Sequence, residues 1–227
     1  MKENGPIRGR YHFLVALNVI CVTLLIISHV VQNRVIALGP TYATATIFVY
    51  PITCMILDIV SEVYGYAEAR KALWLSIIAT FIFAIPVWVF TKLPVPSFWT
   101  SYDHDFGVAM GQILRVTIMS SIAIIVGQSI NIYVISKLRI RLKGRFFALR
   151  SMCSSMIGDT STVIIALTSF FIGRMPINEI ITITVTELII MYLFALVLAF
   201  PGNLIVFLLK RIEPQNEDRT IKFNPFL

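Results

Sequence analysis

Charged positions are sparse along this chain and fall in clumps between long apolar runs. Residues 13–31 contain no Lys, Arg, Asp or Glu, and a run of ~20 such residues is what one helix needs to cross a bilayer core. Six predominantly apolar runs follow one another, at about 12–31, 41–62, 72–92, 107–136, 151–173 and 180–209. The pattern predicts an all-α integral membrane protein with six transmembrane helices and almost no water-facing domain. Its predicted organisation is a cytoplasmic N-terminal segment 1–11, a membrane domain 12–209 and a cytoplasmic tail 210–227. No small-residue cleavage site follows the first run, so that run reads as a retained helix. Pro86 lies inside the third run as an expected kink. Trp99, Tyr102, Asp103, His104 and Asp105 read as an interfacial loop with aromatic anchors.

Polar residues inside the runs carry the functional signal, because an ionisable group at the bilayer centre costs at least ~2.5 kcal/mol. Asp58, Arg115, Gln128, Asn131, Asp159 and Glu187 lie in this position, with Glu62 close by at a helix end. In the fifth run Ser155, Asp159, Thr162 and Ser169 share one helical face, while Met156, Ile157, Val163 and Ile164 occupy others. A polar stripe in a membrane helix faces protein or a wet cavity. Hydrogen-bonded packing between helices accounts for hydroxyls there, but a carboxylate is costly as mere glue. The fourth run carries a second stripe of Thr117, Ser120, Ser121, Gly127, Gln128 and Asn131. Gln128 and Asn131, three apart, are helical neighbours. Arg115 lies roughly 140° away from Gln128 around the helix. Read as ~12 Å below the outer end, it is expected either to snorkel outward or to pair with Glu187 at similar depth.

Composition sharpens this reading. Of 227 residues, 57% are apolar and 14% charged, well below the roughly one quarter charged in soluble domains. The net charge of +7 points to membrane topology rather than to nucleic acid. With the N-terminus inside, fifteen Lys and Arg fall in inner segments and Arg34, Lys92 and Arg174 in outer ones, which places both termini in the cytoplasm. Cys21, Cys54 and Cys153 form no CxxC pair and read as packing residues. No H-E-x-x-H and no G-x-S-x-G occurs, so neither an enzyme, a metal site nor a cofactor is expected. His29, near the outer end of the first run, reads as a satisfied polar residue. Ala195 and Ala199 form a small-xxx-small pair that suits a partner or a second copy of the chain.

Several blocks have a familiar layout. Pro51 precedes Asp58 by seven residues, followed by Glu62-Val63-Tyr64-Gly65 and Ala69-Arg70. Arg115 precedes Gly127-Gln128, and Lys137-Leu138-Arg139, Ser154-Ser155 and Pro201 follow in order. Over roughly residues 28–210 the chain resembles the putative vitamin uptake transporter family, now mostly called queuosine precursor transporters. The resemblance implies a fold like that of small six-helix vitamin-binding membrane subunits. It also implies import, across the bacterial inner membrane, of 7-cyano-7-deazaguanine or 7-aminomethyl-7-deazaguanine for tRNA queuosine salvage. Uptake of queuine or another small vitamin-like heterocycle, or service as the binding subunit of an ATP-driven transporter, are the alternatives; no Walker A loop is present. The chain departs from many members at Asn131, Thr162 and Met191, where they carry Asp, Asp and Lys. On chemistry alone, Asp159 or Glu187 suits the N–H and amine edge of a deazapurine, and the Gln128 and Asn131 amides suit its carbonyl. Phe48, Tyr50 or Trp74 could stack on its faces. The candidate binding set is thus Asp58, Glu62, Arg115, Gln128, Asn131, Asp159, Thr162 and Glu187.

Overall fold

A computed structural model describes residues 11–213; most of the predicted N-terminal segment 1–11 and of the tail 210–227 lies outside the described residues. Helix α1 spans Leu14–Val31 and leads into a hairpin of β1, Val35–Leu38, and β2, Thr41–Thr44. A 3-10 turn at Ala45–Phe48 follows, then α2, Tyr50–Tyr64, and α3, Tyr66–Phe90. The short α4, Thr100–Met110, precedes three long helices: α5, Ile113–Arg141, α6, Phe147–Phe171, and α7, Ile177–Ile212. Among the described residues, five helical stretches are long and apolar enough to cross a membrane.

The second predicted span, 41–62, differs. Its first part pairs as β2 with β1, Val35 opposite Thr44 and Leu38 opposite Thr41, around a two-residue loop in which Gly39 takes φ +64°. The β-branched residues Val35, Ile36, Thr41 and Thr44 favour extended backbone, and a loop glycine supplies the positive φ such a tight turn requires. What remains, α2, has 15 residues and is ~22 Å long. The hairpin and α2 together occupy the second of the six positions. At its other end α2 stops at Gly65, whose φ of 93° suits only glycine and turns the chain into α3. The aromatic stretch before α5 is helical too: Trp99 and Tyr102 stack at 4.7 Å at the start of α4, both exposed.

α2 is the hub. Every residue from Ile56 to Tyr64 is buried, as expected for a helix packed on all sides rather than on one. Around it Cys21 and Leu25 of α1, Leu73 and Ile77 of α3, Ile132 and Ile135 of α5 and Val206 of α7 form the main apolar core. The lipid-facing surface is read from the opposite faces, where Met156, Ile157 and Ile164 of α6 are all exposed. The first and last described residues lie at one end of the bundle, where the Phe13 amide donates to Glu213 Oε1 at 2.8 Å. The hairpin lies at the opposite end.

α5 and α6 cross closely at Gly127 and Gly158. A Cβ added to Gly158 would stand 2.6 Å from both the Gly127 carbonyl oxygen and Asn131 Cβ. Small residues at a membrane helix crossing let backbones touch, and here neither neighbour is a flexible side-chain tip. Gly158→Ala should therefore destabilise the protein by ~1–3 kcal/mol, the usual range for overpacking. A fall in apparent melting temperature of the detergent-purified variant checks this, and an unchanged value would mean that the helices separate without penalty.

Candidate functional site

Three helices deliver polar groups to one place near the middle of the bundle. Gln128 of α5 donates through Nε2 to Asp159 Oδ1 of α6 at 2.8 Å, sharing the amide with Tyr50 Oη at 3.1 Å and Cys54 Sγ at 3.4 Å on α2. One turn along, Asn131 donates through Nδ2 to Asp58 Oδ1 of α2 at 2.7 Å and, more weakly, to Gln128 Oε1 at 3.5 Å. Ser151 of α6 donates to the other oxygen of Asp58. Gln128, Asn131, Asp58 and Asp159 are each at most 3% exposed. The predicted adjacency of Gln128 and Asn131 is thus realised, and both amides meet carboxylates. Asn131 Oδ1 has no hydrogen-bond partner. Buried polar groups left unpaired cost ~1–3 kcal/mol, so the network is incomplete on its own.

On the hairpin side of this network lies a cavity of about 50 Å³, room for a few waters at the ~10–15 Å³ each needs. Tyr50 and Thr162 form its boundary with the network, and Glu187 of α7, His29 of α1 and Thr46 of the 3-10 turn line it. Glu187 is fixed there by the Thr44 backbone amide, which donates to Oε1 at 2.7 Å. This bond ties the inner strand of the hairpin to α7. A smaller cavity of about 20 Å³ opens on the other side, between Asp58, Ser151, Ser155, Asp159 and Met191. Asp159 also borders a third cavity of about 90 Å³ between α6 and α7.

The remaining candidates separate. Thr162 lines the hairpin-side cavity and returns its hydroxyl to the Gly158 carbonyl at 3.1 Å. Glu62 lies at the termini end, ion-paired with Arg150 at 2.7 Å and with Lys210, and is a fastener there rather than part of the cavity. Arg115 and Glu187 form no ion pair. Gly111 ends α4, so Arg115 falls in the first turn of α5, ~3 Å along it, whereas Glu187 is ~15 Å into α7. Arg115 donates instead to the Phe170 carbonyl at 3.3 Å. Of the aromatic candidates Tyr50 borders the cavity, while Phe48 is half exposed and packs edge-on against Phe194. Trp74, on α3, lines none of the cavities described.

Two residues outside the candidate set belong here. Gln32 lines the hairpin-side cavity, its Oε1 accepting from Ser120 at 2.9 Å. His29, expected to be a satisfied polar residue, is 2% exposed and neither ring nitrogen has a partner. The signal available in the sequence was their spacing, since 29 and 32 share a face of the same helix end.

A family model described as putative vitamin uptake transporter matches residues 44–206, which reaches from the end of the hairpin through most of α7. No curated protein and no solved structure matches the chain.

Proposed function

This chain belongs to the putative vitamin uptake transporter family, and on that premise we propose that it imports a 7-deazaguanine, 7-cyano-7-deazaguanine or 7-aminomethyl-7-deazaguanine, for tRNA queuosine salvage. The observation that carries this reading is the meeting of two amides and two carboxylates, Gln128 with Asp159 and Asn131 with Asp58, beneath a cavity lined by Tyr50 and Glu187. A deazaguanine presents an N–H and an amine on one edge, which a carboxylate accepts as a pair, and a carbonyl that a side-chain amide can donate to. Tyr50 supplies a ring at the cavity boundary. Asp159 and Glu187 are the carboxylates on either side of Tyr50, and Gln128 is the amide that a substrate edge displaces.

7-Cyano-7-deazaguanine is nearly neutral, so membrane potential exerts little force on it, whereas the amine of 7-aminomethyl-7-deazaguanine is protonated at pH 7 and an inside-negative potential draws it inward. Trapping after uptake is enough to sustain inward flux, and the cycle is a rocking of helices about the central site. In the cavity's present state the space suits waters, so loading requires the Thr44–Glu187 contact to yield. The excess of Lys and Arg in the segments at the termini end supports a bacterial inner-membrane protein with both termini cytoplasmic and the hairpin outside.

The test uses cells that can neither make nor import queuosine precursors. With the chain expressed, supplying either deazaguanine should restore queuosine in tRNA. Modification no higher than in cells with an empty vector, despite full-length protein in the membrane fraction, would refute the proposed substrate.

A further inference from the structure

We infer that the hairpin-side cavity is a binding subsite in its own right, that it takes a free heterocyclic base carrying no anionic group, and that His29 decides which base it takes. The inference rests on the proposed function and adds to it a residue that neither the family resemblance nor the polar network supplies.

His29 is buried in the last turn of α1, lines the cavity, and leaves both ring nitrogens unpartnered. A neutral imidazole carries one donor and one acceptor, so this side chain can read both kinds of group on a ligand edge. Beside it, Gln32 has its carbonyl end taken by Ser120, which leaves its amino end as a donor. Glu187, which the Thr44 amide holds until the cavity opens, supplies the acceptor. The groups therefore match a base with mixed donors and acceptors. They oppose an anion: Glu187 is the cavity's carboxylate, and neither Lys nor Arg lines the cavity. A phosphate or carboxylate ligand would enter beside a fixed negative group with no cation to balance it. Nucleotides are excluded and free bases are admitted.

Tyr50 stands between this subsite and the Gln128–Asp159 pair, bordering the cavity while its hydroxyl accepts from Gln128. A base seated against His29 is one side-chain movement away from the deeper network.

The experiment is equilibrium binding to the full chain in lipid nanodiscs. The probes are the two deazaguanines, guanine, adenine, hypoxanthine and GMP. Wild type should bind at least one free base and not GMP. His29→Leu should weaken that binding about ten-fold or more, the worth of a lost hydrogen bond that leaves a buried group unpaired. His29→Gln, which keeps a donor and an acceptor, should bind within a few fold but reorder the bases. Gln32→Met provides a second loss should His29→Leu misfold, and should weaken binding similarly. Wild-type affinity and ranking in the folded variants would overturn the subsite while leaving the transport reading intact. Binding of adenine or hypoxanthine in place of the deazaguanines, weakened by His29→Leu, would uphold the subsite and remove the proposed substrate. Tight binding of GMP, or of no base, would overturn the inference.

Discussion

Uptake of the deazaguanine falls by roughly 10- to 100-fold in Asp159→Asn and in Gln128→Leu, while both proteins reach the membrane in normal amounts. Asp159→Asn keeps the shape of the side chain but removes the charge and one acceptor. The Gln128 amide, now 2.8 Å from Asp159 Oδ1, can still be satisfied by the Asn carbonyl, so folding is spared. The substrate edge is not spared, since it needs a carboxylate to accept two N–H groups at once. A hydrogen bond to a charged group is worth ~1.5–3 kcal/mol, which sets the size of the loss. Gln128→Leu removes the donor for the substrate carbonyl and the bridge between Tyr50 and Asp159. Radiolabelled uptake, normalised to membrane abundance, measures both. Wild-type uptake in either variant would take that residue out of the transport path, and in both would move the site elsewhere in the bundle.

The placement of these groups was legible because helical periodicity is a local property. Ser155, Asp159 and Thr162 share a face in the sequence, and all three are buried toward α2 and α5. Exposed Met156, Ile157 and Ile164 lie on the faces predicted to be apolar, whereas Val163, read with them, is buried and lines the hairpin-side cavity. Gln128 and Asn131 are neighbours for the same reason. What periodicity could not supply was a change of element within an apolar run. Hydropathy is the same whether Thr41–Thr44 forms a strand or a helical turn, so the hairpin was absorbed into a helix; its marks were the β-branched residues and Gly39-Pro40. The Arg115–Glu187 pairing failed for a related reason. It assumed one unbroken helix through Gly111, and the break there shifts Arg115 to the bundle's end. The place of Glu62 at a helix end was legible, but its partners, Arg150 and Lys210, are 88 and 148 residues away, a separation no local pattern encodes. His29, read as a satisfied polar residue, has no partner on either ring nitrogen, because partnering depends on every helix around the cavity.

The buried ion pair at the termini end bears on whether the protein assembles at all. Arg150→Met should destabilise it by ~3–5 kcal/mol, the cost of stranding one member of a buried pair. Arg150 is fully buried, joined to Glu62 at 2.7 Å, and also donates to the Arg145 carbonyl at 2.9 Å and the Gly144 carbonyl at 3.3 Å. One side chain thus holds the end of α2, the start of α6 and the loop between α5 and α6. Its loss leaves Glu62, 1% exposed, with Lys210 as its remaining ion-pair partner, and strands two loop carbonyls. Glu62→Met alone should cost a similar amount, because it leaves a buried guanidinium without the carboxylate that balances its charge. The double variant separates electrostatics from packing. Replacing both members of a buried pair by apolar residues of similar volume is often close to neutral, and Lys210, 23% exposed, can turn toward solvent. The Arg150→Met, Glu62→Met protein should therefore melt closer to wild type than either single variant, the shortfall reflecting the loop carbonyls that Arg150 no longer serves. Apparent melting temperatures in one detergent, with yield from the membrane fraction as a second readout, decide between the alternatives. A double variant as unstable as the sum of the singles would mean that the two residues stabilise the fold independently and that charge pairing is not what joins α2 to α6.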